Sequence, residues 1–207
     1  MPRKSGRPPK SDGTETDNKQ RIIDAAVKLI RERGADSITV RNVCREADIG
    51  TGTFYYHFKN KDNLLMYFLR ETSFRGFALN TPLSQIADRT VELYMLLIAR
   101  YMELGLDFMK SFYSTGNRSL SAYMGEVDGA FEPYTVMARS EVELTQAQEQ
   151  GYIKKGADVH TLCMDICTIV KGCVFEWCLT DGTMELEQAL SRIVKGYLQP
   201  YLREAPK

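Results

Sequence analysis

The stretch Ile38-Thr-Val-Arg-Asn-Val-Cys-Arg-Glu-Ala-Asp-Ile-Gly-Thr-Gly-Thr-Phe-Tyr-Tyr-His-Phe-Lys-Asn-Lys-Asp-Asn-Leu-Leu65 sets the reading of the whole chain. Thr39 supplies the side-chain oxygen that a helix start needs. A short helix is therefore expected from Val40 to Ala47, with Val40, Val43, Cys44 and Ala47 on its inner face. Asp48-Ile49-Gly50 reads as a tight turn. A second short helix follows from Thr51 to His57, and Phe54 and Phe58, spaced by four, face inward together. Asn60 caps a longer helix expected over Lys61–Ala78. Upstream, Ile22, Ala26, Leu29 and Ile30 make the buried stripe of a helix from Asn18 to Arg33, which Gly34 stops. Two short helices joined by a tight turn and braced by a third form a shape that reads DNA. The same pattern also suits three small core helices with no nucleic-acid role.

From Pro82 onward the chain reads as helix throughout. Helices are expected over Leu83–Leu104 and Leu106–Ser114, then a loop from Gly116 to Gly129. Pro133 suits the first turn of a helix ending near Gln150. Asp158 caps the next, which runs to Leu179; Asp181-Gly182 is a turn, and Thr183 caps a last helix to Arg203. No strand and no internal repeat is expected. With 43% apolar and 26% charged residues, the chain can bury a proper core and is not of a disordered type. No apolar run approaches the length of a membrane span, and the basic N-terminus has no apolar stretch behind it. A cytoplasmic protein with no membrane partner is expected.

The segment from Ile38 to Leu65, and above all Gly52-Thr-Phe-Tyr-Tyr-His-Phe-Lys-Asn-Lys61 followed by Leu64, strongly resembles the tetracycline-repressor (TetR) family of transcriptional regulators. The resemblance covers residues 18–66; beyond them the chain fits that family in size and helical content. It implies an all-α fold of about nine helices. An N-terminal three-helix helix-turn-helix DNA-binding domain would be joined to a C-terminal helical ligand-binding and dimerisation domain. The boundaries read as a basic flexible arm at 1–16, the helix-turn-helix at 17–62 and the helical body at 63–207. It further implies a homodimer on double-stranded operator DNA, each subunit placing its third helix in a major groove. The candidate contacts are then Thr39 and Arg41 at the start of the second helix, Gly50, Thr51, Gly52 and Thr53 at the start of the third, and Tyr55, Tyr56, His57 and Lys61. Tyrosine hydroxyls, an imidazole and an ammonium fix register on phosphates, while the short threonines reach base edges or thymine methyls. For Tyr55 and Tyr56 the alternative is ordinary core packing; for His57 it is a satisfied helix histidine. Two departures stand out. Asp48 replaces the glycine usual in the turn, and Gly50 replaces the hydroxyl residue often found at the recognition-helix cap. Few long side chains are left to read bases, so shape readout gains weight.

Formal net charge is zero, but it is unevenly spread. Residues 1–63 carry about thirteen cations against nine acids, and the remainder about fourteen against eighteen. A basic front and an acidic back suit a DNA-facing end. Within the arm, Ser5-Gly-Arg-Pro-Pro-Lys10 resembles the core of an AT-hook, with Arg7 laid into a narrow minor groove. The alternative is a solvated tail with general phosphate attraction.

In the C-terminal part, Leu186, Leu190, Ile193, Val194, Tyr197 and Tyr201 form one stripe, and the preceding helix is apolar over much of its surface. A four-helix interface between subunits is expected, carried by Ile166, Val170, Trp177, Leu190, Val194 and Tyr197. The middle helices are rich in aromatics and methionine, which suits a pocket for a small apolar or aromatic effector. Tyr101, Met102, Phe108, Phe112, Tyr134 and Met137 are its candidate lining; most such residues equally suit plain core. Arg100, Glu103, Arg139 and Glu141 are polar anchors or simply surface. His160, Cys163 and Cys167 share a helix face, which suits a thiophilic metal or a redox sensor, or more simply buried small hydrophobes. No metal and no cofactor are expected.

The chain shows no phosphate loop, nucleophile elbow or zinc-protease helix, so no enzyme is expected. The expected function is a ligand-responsive repressor released from a palindromic operator by its effector. The rival readings are an architectural A/T-rich DNA-binding protein without a sensor, and a helical enzyme of unknown chemistry.

Overall fold

The computed structural model describes residues 13–34, 37–70, 78–102, 105–114, 126–133 and 135–203. Among these, nine α-helices are defined: α1 Gly13–Arg33, α2 Val40–Glu46, α3 Thr51–His57, α4 Lys61–Arg70, α5 Ile86–Met102, α6 Leu106–Phe112, α7 Val136–Glu149, α8 Val159–Leu179 and α9 Leu186–Leu198. Helix α1 starts at Gly13, ahead of the expected Asn18, because nothing between the two breaks a helix. Residues 13–16, assigned to the arm, therefore belong to it. Gly34 at φ +77° ends it, its N–H bonding the Ile30 carbonyl at 2.9 Å.

Several helix starts follow side-chain chemistry. Thr39, Thr135 and Asp158 each accept a hydrogen bond from the backbone N–H three residues on, capping α2, α7 and α8. Thr135 thus replaces Pro133 as the start of α7. Thr183 does not cap α9: its hydroxyl donates to the Thr180 carbonyl at 2.7 Å and closes the turn instead, so α9 begins at Leu186. Pro200, with no N–H to give, turns the chain after Leu198 into a 3₁₀ turn, Gln199–Tyr201. A second 3₁₀ turn, Leu83–Gln85, leads into α5. Against the expectation of no strand, a small hairpin straddles the end of the expected loop, β1 Glu126–Val127 antiparallel to β2 Ala130–Phe131. Asp128 (φ 53°) and Gly129 (φ 78°) both sit in the left-handed region, as a two-residue hairpin turn demands.

Helices α1, α2 and α3 pack on one another; α5 packs on α7 and α9, and α8 on α6, α7 and α9. Ile166, Val170, Leu190 and Val194, expected at a subunit interface, are fully buried within the single subunit. They fill the seam between α8, α9 and α5 and are core. Tyr101, Phe108, Phe112 and Met137, expected to line a pocket, are likewise buried. Phe108 stacks on Phe112 (5.7 Å), and Tyr101 meets Phe112 edge-on (5.6 Å), an arrangement of close-packed rings. Met102 is half-buried beside them, and Tyr134 lies outside the described residues. Among the described residues no helix is long and apolar enough to cross a membrane.

Candidate nucleic-acid interface

The α2–turn–α3 unit is fixed from below by α1. Arg21 donates through Nη2 to the Ala47 carbonyl (2.7 Å) and the Asp48 carbonyl (3.3 Å), placing a cation where α2 exposes its last carbonyls. Lys28 pairs with Glu46 at 2.6 Å. Asp48 adopts φ 51°, so the backbone keeps the left-handed turn that glycine usually provides, and aspartate carries it at small cost. The Ile49 N–H closes the turn on the Cys44 carbonyl at 3.0 Å.

Helix α3 is sharply two-faced. Phe54 and Phe58 are buried, as are Ile22, Leu29 and Ile30 of α1 and Val43 of α2, the helices that α3 packs with. Phe58 also meets Tyr67 of α4 edge-on at 5.6 Å, and Lys19 of α1 lies 3.9 Å over that Tyr67 ring. On the other face Tyr55 is 57% and Tyr56 69% exposed, which sets aside core packing for both. Such exposure of large aromatics is uncommon without a partner surface. Tyr56 meets the half-buried His57 ring edge-on at 5.0 Å. Thr51 and Gly52 are exposed and Thr53 half-buried. Gly50 starts the helix without a side-chain cap, and a Cβ added at Gly50 or Gly52 would meet nothing within 4 Å, so the approach to α3 is open.

Thr39 spends one lone pair on the Asn42 N–H at 3.1 Å. Arg41 and Lys61 are exposed, with no ion pair among the described residues. Asn60 accepts from the Asn63 N–H at 2.8 Å, as expected of the α4 cap, and so sets where Lys61 emerges. Arg7 and the AT-hook-like segment lie outside the described residues.

The body holds a second polar feature, of which the sequence had pointed to Arg139 alone. Glu143 is 3% exposed and accepts from Arg89 Nε (2.7 Å) and Arg139 Nε (2.6 Å). Burial pushes its carboxyl up, but the two guanidinium hydrogen bonds outweigh that and hold it below the usual carboxylate range. Arg89 also donates to the Thr81 carbonyl. The trio floors a cleft of about 670 Å³ on α7, with Thr135, Ala138 and Val142 in its wall. The Arg139–Glu143 spacing of four was visible in the sequence; Arg89 carried no local signal.

Cys163 and Cys167 are buried, and burial raises their thiols to about 12 and about 11. Neither offers a thiolate near neutrality, so redox sensing by this pair does not fit. Among the described residues no group of three His, Cys, Asp or Glu is placed to hold a metal ion. Trp177 and Tyr197 are half-buried: the indole packs against Gly182, and the Tyr197 hydroxyl donates to Asp165 at 2.5 Å. The exposed apolar residues of α8 are instead Phe175 and Leu179, again four apart, which the sequence reading did not single out.

Comparison with known proteins agrees with this geometry. Residues 22–67 match the family model described as bacterial regulatory proteins, tetR family. An HTH-type transcriptional regulator of Staphylococcus aureus (strain bovine RF122 / ET3-1) is 41% identical over 54 residues, which span 26% of this chain and only 29% of that regulator. The fatty acid metabolism regulator protein of Bacillus subtilis (strain 168) is 25% identical over 181 residues, 80% of this chain and 86% of that one. Among solved structures, Thermus thermophilus FadR, a TetR-family repressor in complex with lauroyl-CoA, aligns with TM-score 0.65 at 18% identity over 91% of this chain and 98% of its own. RolR in complex with resorcinol aligns with TM-score 0.63 at 18% identity over 94% of this chain and 92% of its own. Through the helix-turn-helix of residues 22–67, which presents Tyr55 and Tyr56, the chain carries the DNA-binding segment of TetR-family transcription regulators.

Proposed function

We propose that the protein is a cytoplasmic homodimeric repressor that binds a palindromic operator and leaves it when a small apolar or aromatic effector enters the helical body. The carrying observation is the pair of tyrosines exposed on α3 while Phe54 and Phe58 anchor its other face. Tyr55, Tyr56, His57, Thr39, Arg41 and Lys61 serve the phosphate backbone; Thr51 and Thr53 meet base edges. Residues 1–12 form a basic arm in which Arg7 enters the minor groove. Residues 17–62 are the reading head and 63–207 the sensing and dimerising body. Dimerisation uses the exposed side of α8, where Phe175 and Leu179 stand four apart, with the half-buried Trp177 and Tyr197 as further candidates. An effector with a long apolar chain or an aromatic ring is supported by the lauroyl-CoA of the Thermus protein and the resorcinol of RolR.

The test is fluorescence anisotropy on DNA from the promoter of the protein's own gene. Tyr56→Ala should weaken binding about tenfold, roughly 1.4 kcal/mol, uniformly across operator variants, with an unchanged melting temperature because the ring is exposed. Wild-type affinity in Tyr56→Ala would remove α3 from the interface.

Helix α6 supplies a route from body to head. Its inner face carries Phe108, Met109 and Phe112 into the core, and Lys110 reaches Asp181 in the α8–α9 turn. At its start, the Asp107 carboxylate stands 3.2 Å from where a Cβ on Gly34 would be, so body touches head at the end of α1. Asp107 is exposed, so Asp107→Ala should fold normally. If this contact transmits the effector signal, that variant should show a several-fold smaller effector-induced loss of DNA affinity. Comparing DNA affinity with and without lauroyl-CoA or resorcinol reads this directly, and an undiminished response would place the coupling elsewhere.

A further inference from the structure

His160, in the first turn of α8, is gripped from both sides. Its Nδ1 lies 2.8 Å from Glu141 of α7, and its Nε2 lies 2.8 Å from Glu126 of β1. Its ring stacks on Phe131 of β2, centroids 4.3 Å apart and 14° from parallel. A neutral imidazole carries a single N–H, while an ionised carboxylate only accepts. Both contacts can therefore be hydrogen bonds at once only when the ring holds two protons, or when a glutamic acid holds one. The carboxylates sit at opposite ring nitrogens, so no single cation could take the place of the proton.

The hairpin that this histidine holds has two residues per strand, far too few to persist without docking. Among the described residues it meets the body through the buried Phe131 and through the Glu126 contact. We propose that His160 is a protonation-dependent latch: doubly protonated, it bridges Glu126 and Glu141 and clamps the β1–β2 hairpin onto α7 and α8. Loss of one proton releases one carboxylate and frees the hairpin.

The charges around the ring all point the same way. Glu126 comes from β1, Glu141 from α7, and Asp158 from the N-cap of α8 itself; Phe131 of β2 offers a ring face, and the Cys163 thiol one turn on stays neutral. The start of α8 is the positive end of the helix dipole and opposes a cation there. The hydrogen bonds to Glu126 and then Glu141 outweigh this and the cost of burial, and raise the imidazole above its usual 6.5. Because the folded value lies above the free one, the latch is fully closed below about pH 6.5 and opens as pH rises through the folded value. All three side chains are about one-third to one-half exposed, so salt weakens the latch.

The experiment follows the His160 ring Cε1–H resonance against pH in the full-length protein, with hydrogen exchange of the hairpin amides corrected for intrinsic rate. The ring should titrate with a midpoint above 6.5, falling toward 6.5 in Glu126→Gln, a half-exposed position that tolerates the change. Hairpin protection should drop about two- to fivefold as pH passes that midpoint, and Glu126→Gln should remove the pH dependence. His160→Gln, which has no proton to lose, should show low protection at every pH. A midpoint at or below 6.5, or protection that ignores the titration of the ring, would overturn the latch.

Discussion

Phe54→Ala should lower the unfolding free energy by about 3–5 kcal/mol and abolish operator binding, the largest effect expected of any single substitution in the reading head. The ring is fully buried and contacts Phe58 at a centroid distance of 5.9 Å. It is the one residue of α3 whose side chain is buried, and α3 has only seven residues. A helix that short has little stability of its own and exists because its apolar residue is packed. Removing the ring takes away the transfer free energy and leaves a cavity that α1 and α2 cannot fill. The same loss frees Tyr55 and Tyr56 from a defined direction. Urea denaturation together with anisotropy checks this. A variant that keeps wild-type stability would show that α3 is held by something other than its core face.

Glu143→Ala should cost about 2–4 kcal/mol by a different route. The carboxylate is shared by Arg89 and Arg139, whose side chains are 16% and 18% exposed. Without it two part-buried guanidinium groups lose the carboxylate that they share. Replacing all three residues with apolar side chains of similar volume should cost less than the single change, because no charge is then left stranded. Stability should also depend on pH here. The folded carboxyl lies below its free value of 4.5, so its contribution is complete above that value and is lost as pH falls through the folded one. Chemical denaturation of wild type and Glu143→Ala between pH 3 and 7 should show the gap closing on the acid side.

The reading head was legible because its signals are local. Thr39, Asp48 and Asn60 each set the backbone within three residues of themselves, and all three act as their residue type suggests. Phe54 and Phe58 fall on one face by spacing alone. The body was legible only as helices. Periodicity shows that a face is apolar, not what covers it, so the stripes through Ile166, Val170, Leu190 and Val194 read equally well as interface or core. The exposed Phe175 and Leu179 lie on the same helix as that stripe, and only coordinates separate the two faces. The hairpin was written locally in Asp128-Gly129, yet two-residue strands are too short to show alternation. Contacts such as Arg89–Glu143 and His160–Glu126 join residues far apart in sequence, for which no local pattern exists. Pro133 and Thr183 are both competent helix starters, but the neighbouring Thr135 caps α7 and the Thr183 hydroxyl turns back to the Thr180 carbonyl.

All five cysteines are free and buried, and burial raises every one of their thiols. Maleimide dyes attack thiolates that water can reach, so the native sequence is a ready-made blank for labelling. One cysteine introduced at an exposed site on α1, such as Arg31, would take a fluorophore alone. In a two-subunit assembly, energy transfer between the paired dyes would then follow the spacing of the heads in solution without any native thiol having to be removed.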